Sequence, residues 1–77
     1  MNTHRFPIGT QYTSRGGYRR VCTVVDQLTT TNNRGEVVAI SYVTSHQFCG
    51  QTVTETGVID TTIARNLLPE FAHLLSA

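Results

Sequence analysis

Apolar and polar positions alternate most persistently between Arg19 and Cys49, where Val, Ile, Leu and Thr recur at period two on both sides of Asn32-Asn33-Arg34-Gly35. This pattern predicts two long antiparallel strands folded about that tetrapeptide and carrying most of the core-forming side chains. A type I turn with Gly35 in the left-handed region, followed by a one-residue bulge, sets the register. It pairs Thr30 with Val38, Leu28 with Ile40, Asp26 with Tyr42, Val24 with Thr44 and Cys22 with His46. Even positions then share the core face, and a slip of one residue would scatter the apolar set over both faces.

Weaker patterns flank the hairpin. Met1 to Pro7 reads as a tail lying against the domain, anchored by Phe6 and Ile8 because Pro7 opposes strand pairing. Gly9 to Thr13 reads as a short first strand, Ser14-Arg15-Gly16-Gly17 as a loop, and Gln51 to Thr56 as a further strand ended by Gly57. Asp60 is expected to N-cap one helical turn, with Ile59 and Ile63 pointing inward. Pro69 then opens a short C-terminal helix over Glu70 to Ser76. This order of elements matches the SH3-like small barrels, so the chain is assigned as one mainly β domain over residues 1–77. Residues 1–8 form a tail, 9–66 a barrel of four to five antiparallel strands, and 67–77 a helical segment. A five-stranded OB-type barrel is the alternative.

A chain of 77 residues buries only about 60% of its unfolded surface, so the hairpin needs further strands to complete a core. Net charge is +1, but five arginines lie at or before Arg34 against Asp26 alone, while Glu36, Glu55, Asp60 and Glu70 oppose Arg65 afterwards. Lysine is absent, which counts against a dense phosphate-neutralising surface. With no apolar run of the roughly 20 residues that cross a bilayer and no secretory signal pattern, a cytoplasmic location is expected. In the register above, Cys49 lies about 10 Å along the strand from the partner of Cys22 and faces the other way. Both thiols are therefore expected to be reduced.

Cys22 and His46 become cross-strand neighbours, the minimum for an activated nucleophile, but no third group orients the imidazole, and a structural pair is the favoured reading. Cys22, His46, Cys49 and His4 lack the paired spacing of a zinc site, so no metal and no cofactor are expected. Asp26, opposite Tyr42 on the core face, is expected to hydrogen-bond the phenol. Glu36, Glu55 and Glu70 read as solvated charges.

Arg15-Gly16-Gly17-Tyr18-Arg19-Arg20 is the stretch most suited to contact. Guanidinium groups fork onto carboxylate or phosphate, tyrosine stacks, and paired glycines let a loop approach a partner. Arg15, Tyr18, Arg19 and Arg20 are thus the candidate binding residues, extended by Arg5. Leu67, Phe71, Leu74 and Leu75 recur at helical spacing, and with Leu68 they either cap the barrel or serve as a homodimer contact or a partner-binding helix.

Five segments carry a resemblance: Phe6-Pro7-Ile8-Gly9-Thr10, Val21-Cys22-Thr23-Val24-Val25-Asp26, Gly35-Glu36-Val37-Val38, Gly50-Gln51-Thr52-Val53-Thr54 and Thr61-Thr62-Ile63-Ala64. Across residues 6–66 the chain resembles small uncharacterised proteins of bacteriophages and mobile elements. The resemblance implies a setting in which such proteins bind host machinery. The expected function is a non-enzymatic protein-binding module that occludes a host protein or ribonucleoprotein, a defence complex such as a CRISPR effector being one such target. Direct nucleic-acid binding by the same Arg/Tyr loop is the alternative.

Overall fold

The computed structural model describes residues 4–14 and 20–75. One antiparallel sheet in the order β1-β2-β3-β4 is built from β1 (Gln11–Thr13), β2 (Val21–Thr31), β3 (Val37–Phe48) and β4 (Gln51–Val58). Helix α1 (Asp60–Asn66) and a C-terminal 3-10 helix (Pro69–Leu75) follow. The protein is mainly β, as the hydrophobic pattern predicts, and among the described residues the sheet is open.

The turn at the end of the long hairpin forms where expected. Gly35 has φ +80 and its N–H donates to the Asn32 carbonyl at 3.0 Å. Asn32 Oδ1 accepts the N–H groups of Arg34 and Glu36 at 2.8 and 3.1 Å, so one short side chain ties the loop together. Thr31 pairs with Val37 as expected. Two bulges then alter the register. Val38 is the extra residue on β3, and Val25 is the extra residue on β2. Between them Thr29 lies opposite Ile40, Leu28 opposite Ser41, Gln27 opposite Tyr42 and Asp26 opposite Val43. Beyond Val25 the expected pairing returns, with Val24 opposite Thr44.

The expected Thr30–Val38, Leu28–Ile40 and Asp26–Tyr42 pairs are therefore wrong, Thr30 lying opposite Ala39. Leu28 turns to the open face and is 45% exposed, while Ile40 stays against the core. The cause is where the flanking strands end. β1 pairs only with the start of β2, and β4 only with Tyr42 to Phe48. The rest of the hairpin is a two-stranded arm, and a strand pair whose faces are mostly exposed specifies its register weakly.

The core lies at the other half of the hairpin. Phe6, Tyr12, Cys22, Val24, Tyr42 and Ile63 are buried together, with Ile40, Val58, Ala64, Leu67 and Leu74 packed around them. Phe6 docks as expected, its ring 5.9 Å from that of Tyr42. Ile8, the other expected anchor, is 64% exposed. Thr10 makes the difference: its hydroxyl and N–H both donate to the Pro7 carbonyl, closing a turn that swings Ile8 outward.

At α1, Ile59 occupies the N-cap position without a side-chain hydrogen bond and Asp60 is already helical. Ile63 is buried but Ile59 is 54% exposed. The Asp60 carboxylate is instead drawn to Tyr42 and Arg5, described below. The last segment is 3-10 rather than α-helical. Leu67 bridges to Tyr12 and the Leu68 N–H donates to the Gln11 carbonyl at 3.2 Å, so this segment lies along the outer edge of β1.

Candidate functional site

Of the candidate contact loop, Arg15, Tyr18 and Arg19 lie outside the described residues, as do Gly16 and Gly17. Arg20 is described. Its carbonyl accepts the Ser14 N–H at 2.8 Å, which holds the two ends of the loop together. Its guanidinium carbon sits 4.5 Å from the centroid of the Phe48 ring. Phe48 ends β3 and is 44% exposed. A shallow hollow of about 410 Å³ is lined by Arg20, Gln47, Phe48 and Cys49. A flat cation stacked on a ring is attracted by its quadrupole and presents a broad, partly apolar shelf to solvent.

That shelf depends on a turn which sequence reasoning missed. Phe48 pairs directly with Gln51, leaving Cys49 and Gly50 as a two-residue loop with φ +52 and +76. This is the type I′ geometry, ordinarily marked by Asn-Gly. Cys-Gly carries only half of that signal, and the glycine reads equally well as a simple strand end. The turn exposes the Cys49 thiol, whereas Cys22 is buried; both are free.

Arg5 does not join Arg20. It pairs with Asp60 at 3.5 Å, beside Tyr42, which lies about 20 Å from Phe48 along β3. Asp60 Oδ1 also accepts the Tyr42 hydroxyl at 3.2 Å. The phenol oxygen in turn accepts the N–H groups of Arg5 and Phe6 at 3.1 and 3.4 Å. Asp60 therefore fills the role expected of Asp26, which is exposed and, among the described residues, accepts only its neighbour's N–H. Gln27 takes the position opposite Tyr42 and donates to the Phe6 carbonyl at 2.8 Å.

Cys22 and His46 do meet, with Sγ 4.0 Å from Nδ1. Burial pushes the thiol pKa up, and Glu55 adds to the shift against the lowering effects of Tyr12 and Arg20. A thiol held protonated is a poor nucleophile. Among the described residues no three His, Cys, Asp or Glu side chains gather in a way that would hold a metal ion. His4 lies on the hairpin arm, Nε2 at 3.3 Å from the Leu28 carbonyl, away from the cysteines.

In the C-terminal stripe, Leu67 and Leu74 pack against the core of their own chain. Leu68 and Phe71 are half-buried, and Leu75 is exposed. Opposite this segment, a cleft of about 590 Å³ runs between β4, α1 and the end of β1, with Tyr12, Glu55, Val58 and Arg65 among its lining residues. Nothing in the sequence pattern marks this cleft, because it arises where β4 and β1 stop short of each other.

No protein-family model, curated protein or solved structure matches the chain. No described helix is long and apolar enough to cross a membrane.

Proposed function

We propose that this chain is a non-enzymatic protein-binding module that occludes a host protein or ribonucleoprotein. The Arg20–Phe48 shelf, with the loop that precedes Arg20, is its contact surface. One observation carries the reading: a guanidinium stacked on a half-exposed ring beside an apolar hollow. Arginine and aromatic side chains dominate the residues whose truncation costs most in protein interfaces, because they desolvate a large area while keeping directed donors. A binding role rather than catalysis is also supported by the protonated, buried Cys22. The open sheet is read as an SH3-like barrel on the order of its elements, from short strand to long hairpin, fourth strand, helical turn and a last segment along β1.

Protein is favoured over nucleic acid by where the described charges sit. Arg5 is committed to Asp60, Arg34 lies at the hairpin tip, and Arg65 is on α1 beside the cleft. Phosphate recognition draws its affinity from several cations acting together.

The test compares wild type with Phe48→Ser and with Arg15/Arg19/Arg20→Ala in capture experiments from host lysate. Both variants are expected to lose the wild-type partner by at least about tenfold, the scale of one hot-spot residue. Equal recovery by all three proteins overturns the site. Retention of DNA or RNA that weakens about a thousandfold between roughly 50 and 200 mM salt would replace the protein reading with the nucleic-acid one.

A further inference from the structure

The outer edge of β4 is the longest stretch of unpaired strand in the described sheet. Which of its backbone groups are free follows from the hydrogen bonds elsewhere. The N–H and carbonyl of Val24 both point toward the first strand, bonded to Thr10 and Gly9 at 2.8 Å each. Backbone direction alternates along a strand and is shared between opposed residues. With Val24 opposite Thr44, and with Thr44, His46 and Phe48 opposite Glu55, Val53 and Gln51, residues 51, 53 and 55 bond to β3. Thr52, Thr54 and Thr56 aim their N–H and carbonyl groups outward.

An exposed edge is usually blunted by lysine, proline, extreme shortness or a mid-strand bulge. Thr52 to Thr56 carries no lysine or proline; its one charge is Glu55, and the register shift of β4 falls between Glu55 and Val58, at the end of the segment. The free positions are also symmetric about Thr54. Laid against itself by a two-fold axis, the strand brings Thr54 opposite Thr54 and Thr52 opposite Thr56. All three outward residues then meet outward residues, with threonines opposed in every such pair. Glu55, the only charge in the strand, falls opposite Val53 of the second copy, so like charges are not directly opposed.

We propose that β4 is a self-association edge: two copies of this chain pair antiparallel through Thr52–Thr56 to form one continuous eight-stranded sheet with two-fold symmetry. The surface adjoins the Arg20–Phe48 shelf, Gln47 Nε2 donating to Thr52 Oγ1 at 2.7 Å, but does not depend on its role. Centred on Thr54, the strand is complementary to itself: every outward pair is threonine on threonine, and Glu55 meets Val53 rather than a second Glu55.

Sedimentation equilibrium from micromolar to near-millimolar concentration tests this. Wild type is expected to rise from the monomer mass of 8.5 kDa to twice that value. Thr54→Pro removes an outward N–H that β3 does not use, and Thr54→Lys sets two cations face to face. Both are expected to stay monomeric while keeping the wild-type circular dichroism spectrum. The register is read separately in a Cys49→Asn background. There Thr54→Cys is expected to cross-link to itself on mild oxidation, since opposed residues lie within about 5.5 Å, and Thr52→Cys is not. Monomeric wild type at every concentration overturns the proposal, as does dimerisation of both Thr54 variants. Equal cross-linking of the two cysteine variants also overturns it. If wild type stays monomeric and Thr54→Lys instead abolishes partner capture, the edge belongs to a foreign strand and the two-copy proposal fails.

Discussion

Two buried phenols show how single side chains hold the core of this protein. Tyr42 is completely buried, yet its hydroxyl accepts two backbone N–H groups and donates to Asp60. Tyr12, 2% exposed, donates to Thr44 Oγ1 at 3.1 Å. Burial raises the Tyr12 pKa from 10.0 to about 12 and raises that of Tyr42 as well. For an acid the raised value means that the native state keeps its proton where the unfolded chain gives it up. The stabilisation is complete below pH 10 and is lost as pH rises toward about 12, in all about 2 to 3 kcal/mol for Tyr12. Urea denaturation at stepped pH is expected to show stability falling across that window. Tyr12→Phe is expected to be less stable at pH 8 but to fall less steeply, Tyr42 and Cys22 keeping part of the slope. At this scale the sequence puts Tyr42 on the core face and Phe6 against the domain, but leaves Tyr12 among polar neighbours and does not show what satisfies the Tyr42 hydroxyl. Asp26 and Asp60 are equally short acids, and only the path of α1 past β3 chooses between them.

Among the elements, the two hairpins contrast in how much of each is written locally. Asn32 to Gly35 is readable because one asparagine and one glycine meet the turn's demands. Cys49 occupies a left-handed position, φ +52, that a side chain lacking a local hydrogen bond tolerates poorly. Cys49→Asn is expected to raise stability by about 0.5 kcal/mol, read as a higher urea midpoint at unchanged slope, since Asn-Gly suits a type I′ turn. A lower midpoint would show that the thiol makes a contact worth more than the backbone strain. The arm of β2 and β3 behaves in the opposite way. Its alternation predicts strands correctly, yet two bulges turn Asp26 and Leu28 outward, because neither β1 nor β4 reaches that far to hold one face. The helical spacing of the C-terminal leucines is likewise real, but Pro69 and the docking of Leu67 on β1 leave the segment as a 3-10 helix.

For the molecule as a whole, stability is concentrated where four strands, α1 and the N-terminal segment overlap. Ile63→Ala is expected to cost about 2 to 5 kcal/mol, because the side chain is fully buried against Val24 and its neighbours. Leu28→Ala, on the arm, is expected to cost less than about 0.5 kcal/mol; thermal melts of both variants separate the two, and a large loss at Leu28 would place the core elsewhere. By itself the sequence determined the β class, the place of the long hairpin and its turn, the docking of Phe6 and the meeting of Cys22 with His46. The docking of Phe6 follows from a bulky apolar side chain beside Pro7 and the rest from period-two alternation or turn chemistry, all of which act over a few neighbouring residues. Only the tertiary structure decided the register of the arm, the partner of Tyr42, the stacking of Arg20 on Phe48 and the unpaired edge of β4. These depend on where distant segments end against one another, and alternation within a strand does not encode where its neighbours stop.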